Sequence, residues 1–347
     1  MKLEEYSSIE EKATYFKNGE IKISVNIEGV FEKLAEFTEK GNGFIFRGCS
    51  EAKYKLYSSA QRIYINQELH KQVPEDSIAE HYKNFVAGLI ENCKVWNNGV
   101  VSKLLKSSGI DENNAIAYLS YMQHFGVPTP FLDYSYNPYV SLFFAIDNLT
   151  YKPSDNEIDN YFSLYYTYAD ATMFQSWKYV FDEKLKKEDI SYETIDANDM
   201  SIILPDDELY QIINSVNIIN QEGLFFYNNH PWYPLERTYK EFADFLKEEK
   251  GQARFDELMM HDTLSGCFNI HKSLIPAIRK KLDELGINKN YIYPDMADSV
   301  IINFGSNLSY RYERDNSSTF NPILISNYGY KKISSNHHEY KFTFAIE

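Results

Sequence analysis

Gln123-His124-Phe125-Gly126-Val127-Pro128-Thr129-Pro130-Phe131-Leu132-Asp133-Tyr134-Ser135 runs straight into Asn137-Pro138-Tyr139-Val140-Ser141-Leu142-Phe143-Phe144-Ala145. The stretch reads as a Gly/Pro-bounded turn, a short apolar strand and the start of a helix. Asn caps helices well and Pro tolerates their first turn, so the helix is predicted to begin at Asn137-Pro138. Asp133 and Ser135 fall at the C-terminal end of the strand and, two residues apart, share one of its faces. Both could serve as caps for the helix. Alternatively they form part of a ligand site, since polar strand ends that feed helix N-termini commonly do so.

Outward from this block the pattern is mixed. A strand over Ile21 to Ile27 precedes a helix with Val30, Leu34 and Phe37 at helical spacing. Gly41-Asn42-Gly43 breaks that helix, and Phe44-Ile45-Phe46 forms a short buried strand ending at Arg47-Gly48. Helices are predicted between Ser77 and Lys106, where Ile78, Tyr82, Phe85, Leu89 and Val100 mark the apolar face, and from Asn113 to Phe125, stopped by Gly126. Phe162 to Tyr168 is a β-branched and aromatic strand, and a charged segment follows around Glu183 to Asp199. Gln221-Glu222-Gly223 opens another strand through Tyr227, or forms a surface turn. Helices follow at Arg237 to Lys250 and at Pro276 to Leu285, the latter closed by Gly286. The tail alternates at Ile323 to Tyr330 and Tyr340 to Ile346, as a hairpin or sheet edge does. Strands and helices without a strict βαβ rhythm predict an α+β fold, a small mixed or antiparallel sheet core with surrounding helices.

Composition narrows the function. The chain has 347 residues, 44% hydrophobic and 24% charged, enough for a substantial core. A formal charge of −15 argues against broad phosphate-driven binding to nucleic acid, although a local basic cleft or a basic partner remains compatible with it. Cys49, Cys93 and Cys267 lack metal-ligand spacing and suit a reducing compartment as small buried apolar residues; no metal is expected. Without an apolar leader or a membrane-length apolar run, the chain reads as cytoplasmic, with no membrane partner.

Few residues speak of chemistry. Arg47 ends its strand and is followed by a glycine that lets a ligand approach closely; its planar fork suits a diphosphate or carboxylate. The same guanidinium could instead pair with Asp133 to hold two strands together. His124 precedes Gly126 and reads either as a donor at a cleft mouth or as a satisfied, partly buried histidine. No Gly-rich phosphate loop, paired metal motif or nucleophile-elbow serine is present.

Taken in order, these residues resemble the FRG domain, known for its Phe-Arg-Gly signature, intact here as Phe46-Arg47-Gly48. Leu56-Tyr57-Ser58-Ser59 with Arg62, the Gln123 to Ala145 block, Gln221 to Phe225, and Ile275-Pro276 through Tyr293-Pro294-Asp295 are similar to the family's other landmarks. The resemblance spans roughly 41–305 and divides the chain into a lead-in segment (1–40), an FRG domain (41–305) with a helical insertion around 170–215, and a β-rich extension (306–347). Pro130, Tyr134 and Glu222 depart from the family's Arg, Trp and second Gln. FRG domains look like relatives of the ADP-ribosyltransferase fold. The resemblance then implies an enzyme that uses NAD to modify a macromolecule, protein or RNA/DNA, as a toxin or phage-defence effector answering to an antitoxin or regulatory protein. Arg47, Gly48, Ser59, Arg62, His124 and Asp133 would hold the cofactor; Ser135 would line the nicotinamide pocket; Glu222, or Gln221, would stand at the ribose, where positive charge develops. A pocket without catalysis, recognising a nucleotide or partner in a regulatory role, is the alternative, and a scaffold built on an Arg47–Asp133 pair is another.

Overall fold

In a computed structural model of the chain, the described residues are 2–16, 22–24, 26–39, 44–107, 113–168, 209–211, 216–228, 230–237, 265–294, 322–326 and 329–330. In chain order they form α1 (Ile9–Ala13), β1 (Lys22–Ser24), α2 (Ile27–Glu39), β2 (Phe44–Cys49), α3 (Ser59–Asn66), α4 (Ile78–Ser107), α5 (Ala115–His124), β3 (Phe131–Ser135), α6 (Pro138–Ile146) and β4 (Tyr161–Tyr168). Then come β5 (Leu209–Gln211), α7 (Val216–Asn220), β6 (Gly223–Tyr227), β7 (Ser265–His271), α8 (Ile275–Glu284), α9 (Lys289–Ile292), β8 (Pro322–Ser326) and β9 (Gly329–Tyr330). The predicted segments at 183–199, 238–250 and 340–346, and most of the insertion at 170–215, lie outside the described residues.

The fold is α+β. Six strands form one sheet in the order β1-β7-β4-β2-β3-β6; five run antiparallel, and β1 joins the edge parallel to β7. β5, β8 and β9 form a second, three-stranded sheet, in which the tail's alternation becomes an antiparallel β8–β9 pair.

Alternation along the strands assigns the two faces of the larger sheet. Phe46, Phe162, Leu164, Phe268 and Ile270 face a core shared with α2, α6 and α8, where Val30, Leu34, Val140, Leu142 and Ile278 are fully or almost fully buried. Strand β2 lies so close to α6 that a Cβ on Gly48 would stand 2.0 Å from the Ser141 carbonyl oxygen. This is a packing reason for the glycine of the Phe-Arg-Gly triplet. The Ser141 hydroxyl also donates to the Phe46 carbonyl at 2.9 Å, fixing the helix on the strand.

The opposite face is polar and is covered by the N-terminal arm. Lys12, fully buried, donates from Nζ to the Ala52 carbonyl (2.8 Å), Ser163 Oγ (2.6 Å) and Asn269 Oδ1 (3.1 Å), and lies 4.6 Å from the Tyr165 ring centroid. A buried ammonium requires such saturation of its donors. A second apolar cluster, with Tyr64, Tyr82, Tyr118 and Phe131 buried, joins α3, α4 and α5 to the β3 end of the sheet.

Helix boundaries follow local rules. Asn137 caps α6, accepting from the Tyr139 and Val140 amides, with Pro138 at its first position. Gly126 and Gly286 follow α5 and α8 at φ of 71° and 77°, the left-handed stop expected of them. The α4 segment is two helices broken at Trp96–Gly99, and Val100, which sits on the predicted apolar face, is 41% exposed. Cys267 is buried, but Cys49 and Cys93 are only half-buried, contrary to their expected burial. No helix among the described residues is long and apolar enough to cross a membrane.

Candidate functional site

β2 and β3 meet at one paired rung, Phe46 with Ser135, and beyond it the strands part. A cavity of about 380 Å³ opens there, lined from β2 by Arg47 and Gly48, from α5 by Gln123 and His124, and from β3 by Asp133 and Ser135. Ser141 and Phe144 of α6, Gln221 and Tyr293 complete much of the wall. Its size suits a small-molecule ligand, for which pockets run about 300–1,000 Å³.

Arg47 crosses the gap. Its Nη1 donates 2.7 Å to the main-chain carbonyl of Asp133, so the guanidinium bridges the strands where the ladder stops. An ion pair between the Arg47 and Asp133 side chains, one of the two readings open in the sequence, is not what forms: the strand carbonyl takes the guanidinium. Arg47 Nε is buried and has no hydrogen-bond partner. A buried, charged donor without an acceptor is costly, and an anionic ligand group would relieve it.

Asp133 is held from the other side. Gln123 Nε2 donates to Asp133 Oδ2 at 2.7 Å, and Gln123 Oε1 accepts from Thr129 Oγ1. Thr129 is tied in turn to the start of α3, its amide donating to Ser59 Oγ (2.9 Å) and its carbonyl accepting from the Ala60 amide (3.0 Å). Asp133 is therefore not a cap for α6, one of the roles open to it in the sequence. Protein surrounds its carboxyl closely, and this crowding raises the pKa; Arg47, the Gln123 hydrogen bond and Arg62 pull it back. The side chain keeps its contact with the open cavity, so water moderates the rise.

Crowding lowers the pKa of His124, with Asp133 opposing, and the ring is mainly neutral at pH 7. Crowding likewise raises the Tyr293 hydroxyl, and the charges of Asp147 and Asp133 add to the effect.

Ser135 is 3% exposed and its hydroxyl works within the fold, donating to the Gln221 carbonyl (2.7 Å) and accepting from the Asn137 amide (2.9 Å). Gln221 and Glu222 do not begin a strand. They form the turn between α7 and β6, with Glu222 at φ 46°. Gln221 lines the cavity, whereas Glu222 Oε1 accepts from Asn137 Nδ2 at 3.0 Å, beside the α6 cap. Ser59 serves Thr129, as described, and Arg62 of α3 is felt electrostatically by both Arg47's neighbourhood and Asp133 without being part of the cavity wall.

The structure thus brings Arg47, Gly48, His124, Asp133, Ser135 and Gln221 to one cavity and leaves Ser59, Arg62 and Glu222 around it. Sequence reasoning passes over Gln123, Phe144 and Tyr293. Gln123 carried a signal, standing ten residues before Asp133 across a tight turn that returns the chain on itself. Phe144 and Tyr293, 37% and 41% exposed with ring centroids 6.3 Å apart, stand in stretches similar to the family's landmarks, but nothing there marked them as cavity residues. Among the described residues, no group of three or more His, Cys, Asp or Glu is placed to hold a metal ion.

Residues 42–153 match the family model of the FRG domain. The matched stretch supplies β2, α5, β3 and α6, and so most of the cavity wall; Gln221, β6 and Tyr293 come from beyond it. No curated protein and no solved structure matches the chain.

Proposed function

We propose that the cavity of this FRG-domain protein binds NAD and that the chain transfers ADP-ribose from it to a macromolecular acceptor, a protein or a nucleic acid. The observation that carries the reading is Arg47: a half-buried guanidinium whose buried Nε has no partner, facing a cavity that also offers polar side chains and two half-exposed aromatic rings. Guanidinium groups recognise phosphates through paired donors, and exposed aromatic faces accept planar rings. A dinucleotide carries both. The biological setting implied by the resemblance is that of a toxin or phage-defence effector controlled by an antitoxin or regulatory protein.

A second reading, a nucleotide-binding module without catalysis, draws on Glu222, whose carboxylate hydrogen-bonds the α6 cap. Calorimetric titration with NAD separates binding from chemistry. Wild-type protein should bind, and Arg47→Ala should weaken binding about 10- to 100-fold, the value of a charge-assisted hydrogen bond, while remaining folded. Unchanged affinity in the folded variant would remove Arg47 from the site. Labelled NAD with a cell lysate then decides between the two: label on protein or nucleic acid supports transfer, and binding without NAD loss supports the module.

A further inference from the structure

We infer that Asp133, aimed by Gln123, is the carboxylate that takes the acceptor's proton in the transfer step, whereas the family resemblance places it among the residues that hold the cofactor and puts Glu222 or Gln221 at the ribose. This assignment rests on the transferase reading proposed above and deepens it.

Position is the first ground. Asp133 lines the cavity beside Arg47, whereas Glu222 lies on the α7–β6 turn with its carboxylate hydrogen-bonded to Asn137. The second ground is how firmly Asp133 is aimed. Thr129 Oγ1 accepts from the Phe131 amide at 3.1 Å, which leaves its own proton for Gln123 Oε1. That contact fixes which end of the Gln123 amide faces which neighbour, so Nε2 is directed at Asp133 Oδ2. One carboxylate oxygen, Oδ2, is thereby held by Gln123 while the side chain lines the cavity. Thr129 itself is anchored on α3, so the series from Ser59 through Thr129 and Gln123 to Asp133 is continuous. A cavity carboxylate gripped by one oxygen through a dedicated side chain is a supported site geometry.

The third ground is the company around the carboxylate. Arg47 from β2, Arg62 from α3, His124 from α5 and Tyr293 beyond α9 all interact electrostatically with Asp133. The two guanidinium groups favour its anion and the surrounding protein opposes it. Such a balance is what a general base requires.

In the step itself, a hydroxyl or amine of the acceptor attacks C1′ of the nicotinamide ribose while the C1′–N bond breaks. The bonding pair leaves on the nicotinamide nitrogen, and the acceptor's proton passes to the Asp133 carboxylate. The products are the ADP-ribosylated acceptor and free nicotinamide, and Asp133 returns one proton to water. Its negative charge also steadies the cationic sugar as the bond lengthens.

Nicotinamide release and NAD affinity, measured on the full chain together with thermal unfolding, test the assignment. Asp133→Asn should lower release by about 10²–10⁴-fold while NAD affinity changes much less, and Asp133→Glu, which keeps a displaced carboxylate, should fall between. Glu222→Gln should stay within tenfold of wild type. Gln123→Met removes a hydrogen bond that favours the anion, so the acidic limb of the pH–rate profile should move to higher pH; a merely structural Gln123 would leave that limb in place. Folded Asp133→Asn with wild-type release, or loss of release in Glu222→Gln alone, overturns the assignment and leaves the transferase reading standing. Wild-type protein that neither binds nor cleaves NAD overturns both.

Discussion

His230 is 9% exposed, and its Nδ1 accepts from the main-chain amides of Trp232 (3.3 Å) and Tyr233 (2.9 Å), while its ring stacks on that of Tyr233 at 4.0 Å. The imidazole must therefore carry its proton on Nε2. Burial, aided by the Arg237 charge, pushes its pKa down to about 3. In the unfolded chain the ring binds a proton near pH 6.5. As pH falls below that value, the unfolded state gains a proton that the folded state refuses, so this contribution to stability is lost progressively towards pH 3. The loss approaches about 1.4 kcal/mol per pH unit. Denaturant unfolding of wild type and His230→Gln between pH 6 and 4 should show the wild-type curve falling more steeply by roughly that slope. Parallel curves would mean that the histidine does not govern acid stability. Single residues were also where the sequence was most ambiguous. It offered Arg47 and Asp133 as an ion pair, and the fold instead gives the guanidinium a main-chain carbonyl and the carboxylate a glutamine amide. Choosing between those partners requires the distance between two strands, which no local pattern encodes.

Helix α6 shows what a single element contributes to the site. Its first turn is capped by Asn137, its middle is pressed against Gly48, and its Ser141 and Phe144 reach the cavity. Its last turn is held from α8, where Arg279 Nη2 donates to the carbonyls of Ile146 (2.7 Å), Asp147 (3.2 Å) and Leu149 (2.8 Å). Ile146 ends the helix and Asp147 caps it, so two of the three are carbonyls at a helix end, where intrahelical partners run out; Leu149 lies in the turn that follows. Arg279→Met keeps much of the apolar stem and removes the donors, so it should cost about 1–3 kcal/mol and speed amide exchange at the end of α6. Unaltered exchange there would show that solvent satisfies the carbonyls equally well. The start of this helix, its cap and the stops at Gly126 and Gly286 were legible in the sequence because each is a rule about neighbours in the chain. Gln221-Glu222-Gly223 read as a surface turn by default and as a strand opening otherwise. Only the left-handed backbone at Glu222 settles it, and that residue type gives no warning of it.

At the level of the whole molecule, the cavity joins residues from Arg47 to Tyr293, and the N-terminal arm bonds Tyr6 to Glu236 (2.7 Å) and Lys12 to Asn269. The strands β2 and β3 could be placed from their short apolar runs, but their separation beyond one rung, and hence the cavity, arises only when distant segments assemble. The arm is part of that assembly. It buries Tyr6, Ile9 and Phe16, each worth about 1.5–3 kcal/mol, and its removal would also leave Ser163 and Asn269 without the Lys12 ammonium. Deleting residues 2–16 should lower the denaturation midpoint sharply or prevent folding, as circular dichroism would report; a shortened chain with the wild-type midpoint would show that the arm is dispensable. A lysine that grips residue 269 also imposes a schedule on biosynthesis. The first helix leaves the ribosome early, yet its docking surface exists only after more than two hundred further residues have been translated. Helix α1 is therefore made well before the strand that seats it.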